Sequence, residues 1–328
     1  MAKDPPPASM TEAPKNAETL LRHLEWTVIK RLDGLLQGDY RTLLRGSGLD
    51  LADLREYQHH DDVRHIDWNV TARLNQPHVR VFTEDREMAA WFLLDVSASV
   101  DFGSGQQLKR KVLVDFVAVM SRLLTRHGNR VGALLYSAGQ SLDAFVPARG
   151  GRQHVLHLLH TLQRSARDEK AVTGSTDLKN LLLRAAALVR RRSTVFVVSD
   201  FISEPGWQQG LAQLAQRHEV VAVRLIDPME LELPDFGLLT IRDAETGEQL
   251  LVDTHDTGFR KRFARIAAQR EAELCEGFAH AGVDVLELST DEDLVQALVR
   301  FAEMRRGRLR LSSAASSGGL ATHLRRTA

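Results

Sequence analysis

The chain has 328 residues, 43% of them hydrophobic and 26% charged, which is enough for one large globular domain or two modest ones. Its 43 basic and 43 acidic residues cancel, so net charge favours neither nucleic acid nor an anionic membrane surface as a partner. No apolar stretch reaches the roughly 18 residues that a membrane-spanning helix needs, and residues 1–18 lack the hydrophobic core of a signal peptide.

We therefore expect a cytoplasmic protein with no nucleic-acid partner and no membrane insertion. Its one cysteine, Cys275, falls in a helical pattern and cannot form an internal disulfide. A lone cysteine of this kind favours a reduced compartment and a role in buried packing.

The amino-terminal residues divide into a tail and an extension. Residues 1–17 carry four prolines among small polar residues, which predicts a disordered tail. From Thr19 to about Leu36 the apolar residues recur every three or four positions, which predicts an amphipathic helix. We assign residues 18–86 to an N-terminal extension of the main domain.

The densest polar stretch of the chain, residues 53–73, has three open interpretations. Its histidines and aspartates are candidate ligands of a transition metal: His59, His60, Asp61, Asp62 and His65. The stretch is also a candidate charged surface for a partner. The third interpretation, which we favour, is an ion-pair network that pins a loop to the main domain, with Tyr57 and Trp68 packed beneath it: Arg55, Asp62, Arg64 and Asp67.

The run Trp91–Leu94 is continuously apolar and ends in Asp95, Ser97 and Ser99. Continuous hydrophobicity predicts a strand covered on both faces of a parallel sheet, and open α/β sheets bind ligands at the carboxyl ends of such strands. Three polar residues spaced two apart can point toward one small ion. A carboxylate with two hydroxyls suits Mg²⁺ or Mn²⁺ better than zinc, although a turn or helix cap is the simpler role for such residues.

The rest of the chain alternates predicted helices and strands, which indicates a doubly wound, mostly parallel sheet. The elements before the second strand-end acid, Asp200, are a helix at 108–124, strands near 129–136 and 144–147, the second at a sheet edge, helices at 155–162 and 178–190, and a strand at 195–198. Beyond it come a helix at 208–217, a strand at 220–225, a hairpin of 239–241 with 250–252, a helix at 258–281, a strand at 283–288 and a helix at 291–304. Residues 305–328, rich in arginine, are predicted to be a basic flexible tail.

The order of polar residues resembles the metal-ion-dependent adhesion site of von Willebrand factor A domains. The pattern D-x-S-x-S at residues 95–99 is followed by a loop threonine in Gly174-Ser175-Thr176-Asp177 and then by a strand-end aspartate. The resemblance implies that an ion, Mg²⁺ or Mn²⁺, is surrounded by five residues: Asp95, Ser97, Ser99, Thr176 and Asp200. It also implies that residues 87–304 form a von Willebrand factor A-like domain. At least one of Ser175 and Asp177 is expected to cap the helix that follows.

Residues 53–73, with the strand-like 79–84 after them, resemble the family called domain of unknown function 58. Members carry a segment written R-E-Y-x-x-G-D-D-x-R-x-I-D-W before a von Willebrand factor A-like domain; here His60 stands in place of the glycine. The family is commonly paired with MoxR-type AAA+ ATPases, so the resemblance implies such a partner.

Two functions follow from the predicted site, and a metal-independent structural domain is a third possibility. The first is a non-enzymatic adaptor, in which a carboxylate presented by a client protein completes the coordination of the ion. The second is a metal-assisted hydrolase or phosphatase that uses the same ion as a Lewis acid. It requires a general base near Ser97 and Ser99, and His127 and His154 are the candidates.

Overall fold

The computed structural model describes residues 17–36, 53–58, 66–81, 89–105, 107–137, 142–165, 177–242 and 249–323. In chain order the elements are α1 (Ala17–Leu24), a π-helical segment (Glu25–Ile29), α2 (Lys30–Leu36), β1 (Asp53–Glu56), α3 (Trp68–Leu74), β2 (His78–Val81), β3 (Ala89–Asp95), a 3-10 turn (Ala98–Asp101), α4 (Lys109–Arg126), β4 (Arg130–Tyr136), β5 (Ala144–Arg149), α5 (Arg152–Ser165), α6 (Leu178–Leu188), β6 (Thr194–Ser199), α7 (Trp207–Arg217), β7 (Glu219–Ile226), α8 (Pro228–Leu231), β8 (Leu238–Arg242), β9 (Gln249–Asp253), α9 (Thr257–Ala281), β10 (Asp284–Ser289) and α10 (Leu294–His323).

A six-stranded sheet forms the centre of the molecule, with the strand order β10-β7-β6-β3-β4-β5. Five strands are parallel, and the edge strand β5 pairs antiparallel with β4. The predicted α/β class with a doubly wound, mostly parallel sheet is confirmed. The direction of winding reverses between β3 and β6, and such a reversal opens a crevice at the carboxyl ends of the two strands.

Strand β3 lies in the middle of the sheet because nearly all its side chains are apolar. Phe92 and Leu94 point into the core on one face, where Phe92 stacks on Phe196 at 5.3 Å between ring centroids. Trp91 and Leu93 point into the core on the other face. Helices therefore cover both faces of the sheet, and polar residues lie at the ends of its strands.

Gly132 of β4 lies directly opposite Trp91 of β3 in the sheet register. A Cβ atom at position 132 would lie 2.7 Å from the Trp91 ring and 3.0 Å from the backbone nitrogen of Ala148. We expect Gly132→Ala to lower the free energy of unfolding by about 2 kcal/mol, because the added methyl overpacks a closed site. Urea denaturation of the two proteins measures the difference.

The matched control for this substitution is Gly150→Ala, because a Cβ atom at position 150 has no atom closer than the Asn129 carbonyl oxygen at 3.9 Å. This variant is expected to stay within about 0.5 kcal/mol of the wild type. Equal stability of the two variants would contradict the packing described for Trp91.

The N-terminal helical segment packs on the main core. Its buried residues belong to the same hydrophobic cluster as Phe92: Leu20, Leu21, Leu24, Ile29 and Leu32. Arg31 pairs with Asp293 of the last connection at 2.9 Å, and Glu25 pairs with Arg122 of α4. The predicted helix from Thr19 therefore exists, begins at Ala17, and packs on helices α4, α5 and α10. The rest of the predicted disordered tail lies outside the described residues.

Within residues 53–58 and 66–81, β1 pairs antiparallel with β2, and the short helix α3 precedes β2. Asp67 is buried and its carboxylate accepts from the backbone N–H of Val70, so it caps α3. Trp68 is 70% exposed, so the prediction that it packs beneath an ion-pair network is wrong, because its helix turns it outward. The proposed metal ligands, which include Asp62, lie outside the described residues, and so does Arg64 of the proposed ion-pair network.

Three predictions about the second half of the domain can be compared with the structure. The hairpin is confirmed as β8 paired with β9, with Leu239 opposite Val252. Cys275 is exposed on α9, so its predicted burial is wrong. Helix α10 continues past its predicted end at Met304 to His323, so residues 305–323 are helical where a flexible tail was predicted, and residues 324–328 lie outside the described residues. Arg305 is only 5% exposed and pairs with Asp284 and Glu219, acids that the tail itself lacks.

Across the described ranges, none of the helices combines the length and the hydropathy needed to span a bilayer.

Candidate functional site

Three acids lie where parallel strands end at the carboxyl edge of the sheet. Asp95 is the last residue of β3, Asp200 follows β6, and Asp227 follows β7. All three side chains are almost fully buried. Since β3 and β6 are neighbours at the reversal of winding, Asp95 and Asp200 share the crevice where this class of sheet binds ligands.

Asp95 is held by hydrogen bonds from two sides. Its Oδ1 accepts from the backbone N–H of Ser97 at 3.0 Å, and its Oδ2 accepts from the Ser199 hydroxyl at 2.7 Å. The hydroxyls of Ser97 and Ser99 lie 3.0 Å apart and are also buried. The loop after β3 therefore gathers a carboxylate and two hydroxyls, as the spacing of two predicts.

Burial and the nearby negative charge of Asp200 raise the pKa of Asp95 from 3.8 to about 6, against the opposing effect of its hydrogen bonds from Ser199 and Ser97. A raised pKa means that the folded protein holds the ionised form of Asp95 at a cost in free energy. Two buried carboxylates that repel one another are an arrangement that a bound cation relieves.

The raised pKa of Asp95 predicts a pH-dependent stability. A carboxyl group with a raised folded-state pKa stabilises the fold at low pH, and this contribution is lost as the pH rises through about 6. Relative to Asp95→Asn, the wild type without divalent ions is expected to lose about 2 kcal/mol of unfolding free energy between about pH 4.5 and pH 7.5. Urea denaturation in EDTA at both pH values measures this loss.

Asparagine suits this comparison because it keeps an acceptor for the Ser97 N–H, and the Ser199 hydroxyl can rotate to accept from the amide. A difference between the two proteins that stays constant across this pH range would show that Asp95 does not titrate there.

Asp200 is bound by a lysine that the sequence analysis did not include. Lys109, the first residue of α4, is fully buried, and its Nζ lies 2.7 Å from Asp200 Oδ2 and 2.7 Å from Glu230 Oε1. Burial alone would lower the pKa of Lys109, but the charges of Asp200 and Glu230 outweigh it, and the pKa lies above its ordinary value. The ammonium is therefore a permanent cation of the site.

The loop after β6 has a strained backbone at Phe201, whose φ of 58° lies in the left-handed region. A bulky residue seldom adopts this conformation. It is held here because the Phe201 ring packs on Phe278 and because the backbone N–H of Phe201 donates to the Ser199 hydroxyl. The turn also lets Asp200 Oδ1 accept from the Ile202 N–H at 3.0 Å, which fixes the carboxylate beside the crevice.

Thr176 lies outside the described residues, while its neighbour Asp177 is described. Asp177 accepts from the Asn180 N–H at 3.1 Å, which confirms the predicted cap of α6. The next backbone N–H, that of Leu178, donates to the Ser203 hydroxyl in the loop after β6. The start of α6 is thus tied to the same edge of the sheet as Asp200.

The described donors have the composition that a hard divalent cation prefers. Asp95, Ser97, Ser99 and Asp200 offer only oxygen, the ligand atom that hard cations such as Mg²⁺ prefer. Within the described part of the chain, no three His, Cys, Asp or Glu side chains are grouped to hold a metal ion. The candidate site is of another kind, since two of its four members contribute hydroxyls.

Sequence reasoning missed several residues of this cluster that had recognisable signals. Lys109 lies three and four positions before the buried Val112 and Leu113, so it falls in the apolar stripe of α4, where a charge needs a partner. Asp227 is a third strand-end acid of the same kind as Asp95 and Asp200. Ser199 ends β6, a strand in which Thr194 is the one other polar residue.

The two histidines considered as general bases lie at the opposite end of the sheet. His127 follows α4, and its ring Nδ1 contacts the Leu123 carbonyl at 2.7 Å. His154 contacts the carbonyl of Val131, at the start of β4, while Asp95 pairs with Tyr136 at the end of that strand. Five strand residues separate the two ends, a distance of about 16 Å. Neither histidine can act on Ser97 or Ser99.

The chain matches one family model and is similar to proteins from mycobacteria. Residues 53–273 match the model of the family described as "Protein of unknown function DUF58". The "Uncharacterized protein Rv1480" of Mycobacterium tuberculosis is 40% identical over 290 residues, covering 88% of this chain and 90% of the relative. The "Uncharacterized protein MAV169" of Mycobacterium avium is 37% identical over 161 residues, covering 49% of this chain and 94% of that protein.

Among solved structures, the chain is similar to the protein BatB from Bacteroides thetaiotaomicron, with a TM-score of 0.41, 14% identity, and coverage of 67% of this chain and 99% of that one. It is also similar to the von Willebrand factor A domain of SpRpn10, with a TM-score of 0.37, 13% identity, and coverage of 65% and 94%.

Proposed function

Because the chain belongs to the DUF58 family of unknown function and has a doubly wound, mostly parallel α/β sheet, we propose that it is a non-enzymatic adaptor that binds proteins through a divalent ion. One observation supports the proposal most strongly. Two buried carboxylates, Asp95 and Asp200, and the hydroxyls of Ser97 and Ser99 converge on the crevice where the winding of the sheet reverses.

The ion, Mg²⁺ or Mn²⁺, would be held by Asp95, Ser97, Ser99 and Asp200, with Thr176 as the fifth member that the adhesion-site resemblance supplies. When bound, it supplies a Lewis-acidic position for an oxygen ligand from another molecule. Few of its protein ligands are anionic, so the site favours a carboxylate from a client. A client that presents an acidic residue on its surface is therefore the partner that the site suits.

Exposed apolar residues near this edge also support a protein partner. The connection that leaves the carboxyl end of β7 carries α8 and then the β8–β9 hairpin, whose base is fixed where the Thr254 hydroxyl donates to the Gly237 carbonyl at 2.7 Å. Three leucines of the hairpin are more than 60% exposed: Leu238, Leu250 and Leu251. Leu238 and Leu251 share one face of the hairpin, and Leu250 lies on the other face. Exposed apolar side chains on both faces leave the hairpin with surface that a protein partner can cover.

The second proposed partner is a MoxR-type AAA+ ATPase, which comes from the family resemblance. In this role the protein presents clients to the ATPase, or is itself remodelled by it, during the assembly or remodelling of protein complexes. The adaptor would act in the cytoplasm.

Affinity capture with purified partners tests the proposal. The full chain is immobilised and challenged with the MoxR-type ATPase of the same organism, with Mg²⁺ or with EDTA. Capture with Mg²⁺ that is lost in EDTA supports the adaptor. Capture that is equal in both buffers would remove the ion from the account, and Mg²⁺-dependent turnover of a generic phosphoester would favour the hydrolase.

A further inference from the structure

The ammonium of Lys109 already occupies part of the site that we propose for the ion. Its Nζ lies 2.7 Å from Asp200 Oδ2, and the Asp200 side chain is only 1% exposed, so solvent does not screen the contact. A divalent ion held by Asp95 and Asp200 would draw on the same carboxylate. The ammonium and the ion would then repel one another across a short, poorly solvated distance.

Lys109 has a second acceptor on the side of α8. Its Nζ lies 2.7 Å from Glu230 Oε1, and Glu230 is more exposed than Asp200, with 24% of its side chain accessible. The backbone N–H of Lys109 donates to the Phe102 carbonyl at 2.9 Å, which fixes the base of the side chain. The ammonium can therefore remain on Glu230 when its contact with Asp200 is broken.

We propose that Lys109 is a built-in competitor of the divalent ion, so that the ion binds only as the ammonium shifts from Asp200 to Glu230. This inference rests on the proposed function, because it concerns the same ion. In the ion-free protein the Lys109 ammonium neutralises Asp200, and the affinity for the metal ion is therefore low.

The same shift of the ammonium would also couple ion binding to the conformation of the connection after β7. Glu230 Oε2 accepts from the Asp227 backbone N–H at 3.2 Å, and the Asp227 carboxylate accepts from the hydroxyls of Ser104 and Thr290. A stronger ion pair between Lys109 and Glu230 therefore affects α8, the helix that contains Glu230 and precedes the hairpin. Occupancy of the ion site and the position of α8 are linked through one side chain.

Isothermal titration with Mn²⁺ tests the competition directly. Lys109→Met removes the ammonium but keeps a side chain of similar length, and we expect it to tighten Mn²⁺ binding by about tenfold or more. Arg110→Met is the matched control, because the Arg110 guanidinium lies beside the same loop, where it contacts the Val96 carbonyl and Asp101. It removes an equal charge without touching Asp200, and is expected to change the affinity by less than about threefold.

Glu230→Gln tests the inference without removing the lysine. Among the described residues it leaves Asp200 as the anionic partner of the ammonium, so Mn²⁺ binding should weaken by about threefold or more. The same substitution in a Lys109→Met background should have a smaller effect. Thermal denaturation of each protein establishes that it is folded before titration.

The possible outcomes separate this inference from the proposed function. Tighter Mn²⁺ binding in Lys109→Met but not in Arg110→Met supports the competition, even if the wild type binds too weakly to measure. Wild-type binding that depends on Asp95 but is unchanged in Lys109→Met and in Glu230→Gln overturns the competition and leaves the proposed adaptor intact. No binding by any of these proteins overturns both the competition and the metal dependence of the adaptor.

Discussion

Replacing Asp95 with alanine is expected to weaken Mn²⁺ binding by at least about 100-fold, because even the outer partners of a metal site are worth 10–100-fold in affinity. Asp95 is the carboxylate that the loop after β3 contributes to the cluster, and its contacts to Ser97 and Ser199 orient it. Its loss leaves Asp200, already bound to Lys109, as the remaining acid of the proposed set. Isothermal titration of the full chain measures the change.

The fold should survive this substitution. The ionised form of Asp95 is disfavoured by burial and by Asp200, which raise its pKa to about 6, so alanine removes a repulsion together with the hydrogen bonds from Ser97 and Ser199. Glu204→Ala is the control, since Glu204 is an exposed acid in the loop after β6. It is expected to bind Mn²⁺ like the wild type.

Capture of a Mg²⁺-dependent partner should fall together with metal affinity in Asp95→Ala. A variant that no longer binds the ion but still captures its partner would show that the partner contacts another surface.

Replacing Asp227 with alanine is expected to cause the largest loss of stability among the variants described here, about 4 kcal/mol. The Asp227 side chain is fully buried and accepts four hydrogen bonds, from the Ser104 N–H and hydroxyl, the Thr290 hydroxyl and the Met229 N–H. Alanine leaves the buried Thr290 hydroxyl and the Met229 N–H without this acceptor and removes both contacts that tie the exposed Ser104 to the connection after β7. Each such loss costs about 1 kcal/mol or more. Urea denaturation at neutral pH measures the effect.

Asp227→Asn separates the geometry of this contact from its charge. Asparagine keeps one oxygen acceptor, so we expect a loss of about half that of alanine. If alanine at position 227 is as stable as the wild type, Asp227 does not organise the connection between β7 and α8. The coupling proposed through Glu230 would then lose its support.

The sheet could be predicted because its strands are nearly pure apolar runs. Strands β3, β6 and β7 are buried on both faces, and only a parallel sheet between two helical layers provides such burial for consecutive strands. The polar residues that end β3 and β6 follow from the same pattern. Asp95 and Asp200 were therefore recognisable from their position along the chain alone.

The cation of the site was harder to predict because its partners are distant in sequence. Lys109 is 91 residues from Asp200 and 121 residues from Glu230, and no local spacing joins them. The apolar stripe of α4 shows that Lys109 is buried, but not which acids neutralise it. The burial of Arg305 was not predicted for the same reason, since the acids that pair with it lie on β7 and β10.

Side-chain exposure was the other source of error. Trp68 and Cys275 are residue types that are usually buried, yet both lie on outward faces of their helices. Both predictions relied on the residue type and not on the side of the helix on which the residue lies. The position of each residue relative to its buried neighbours, such as Leu274 and Phe278 around Cys275, decides exposure.

Anomalous diffraction from crystals soaked in Mn²⁺ is the most direct test of the central claim, that the crevice between β3 and β6 is a divalent-ion site. We expect one peak within about 2.5 Å of oxygens of Asp95, Ser97 and Ser99, with the Lys109 ammonium on Glu230. A map with no peak in this crevice, in which Lys109 still contacts Asp200, would contradict the claim.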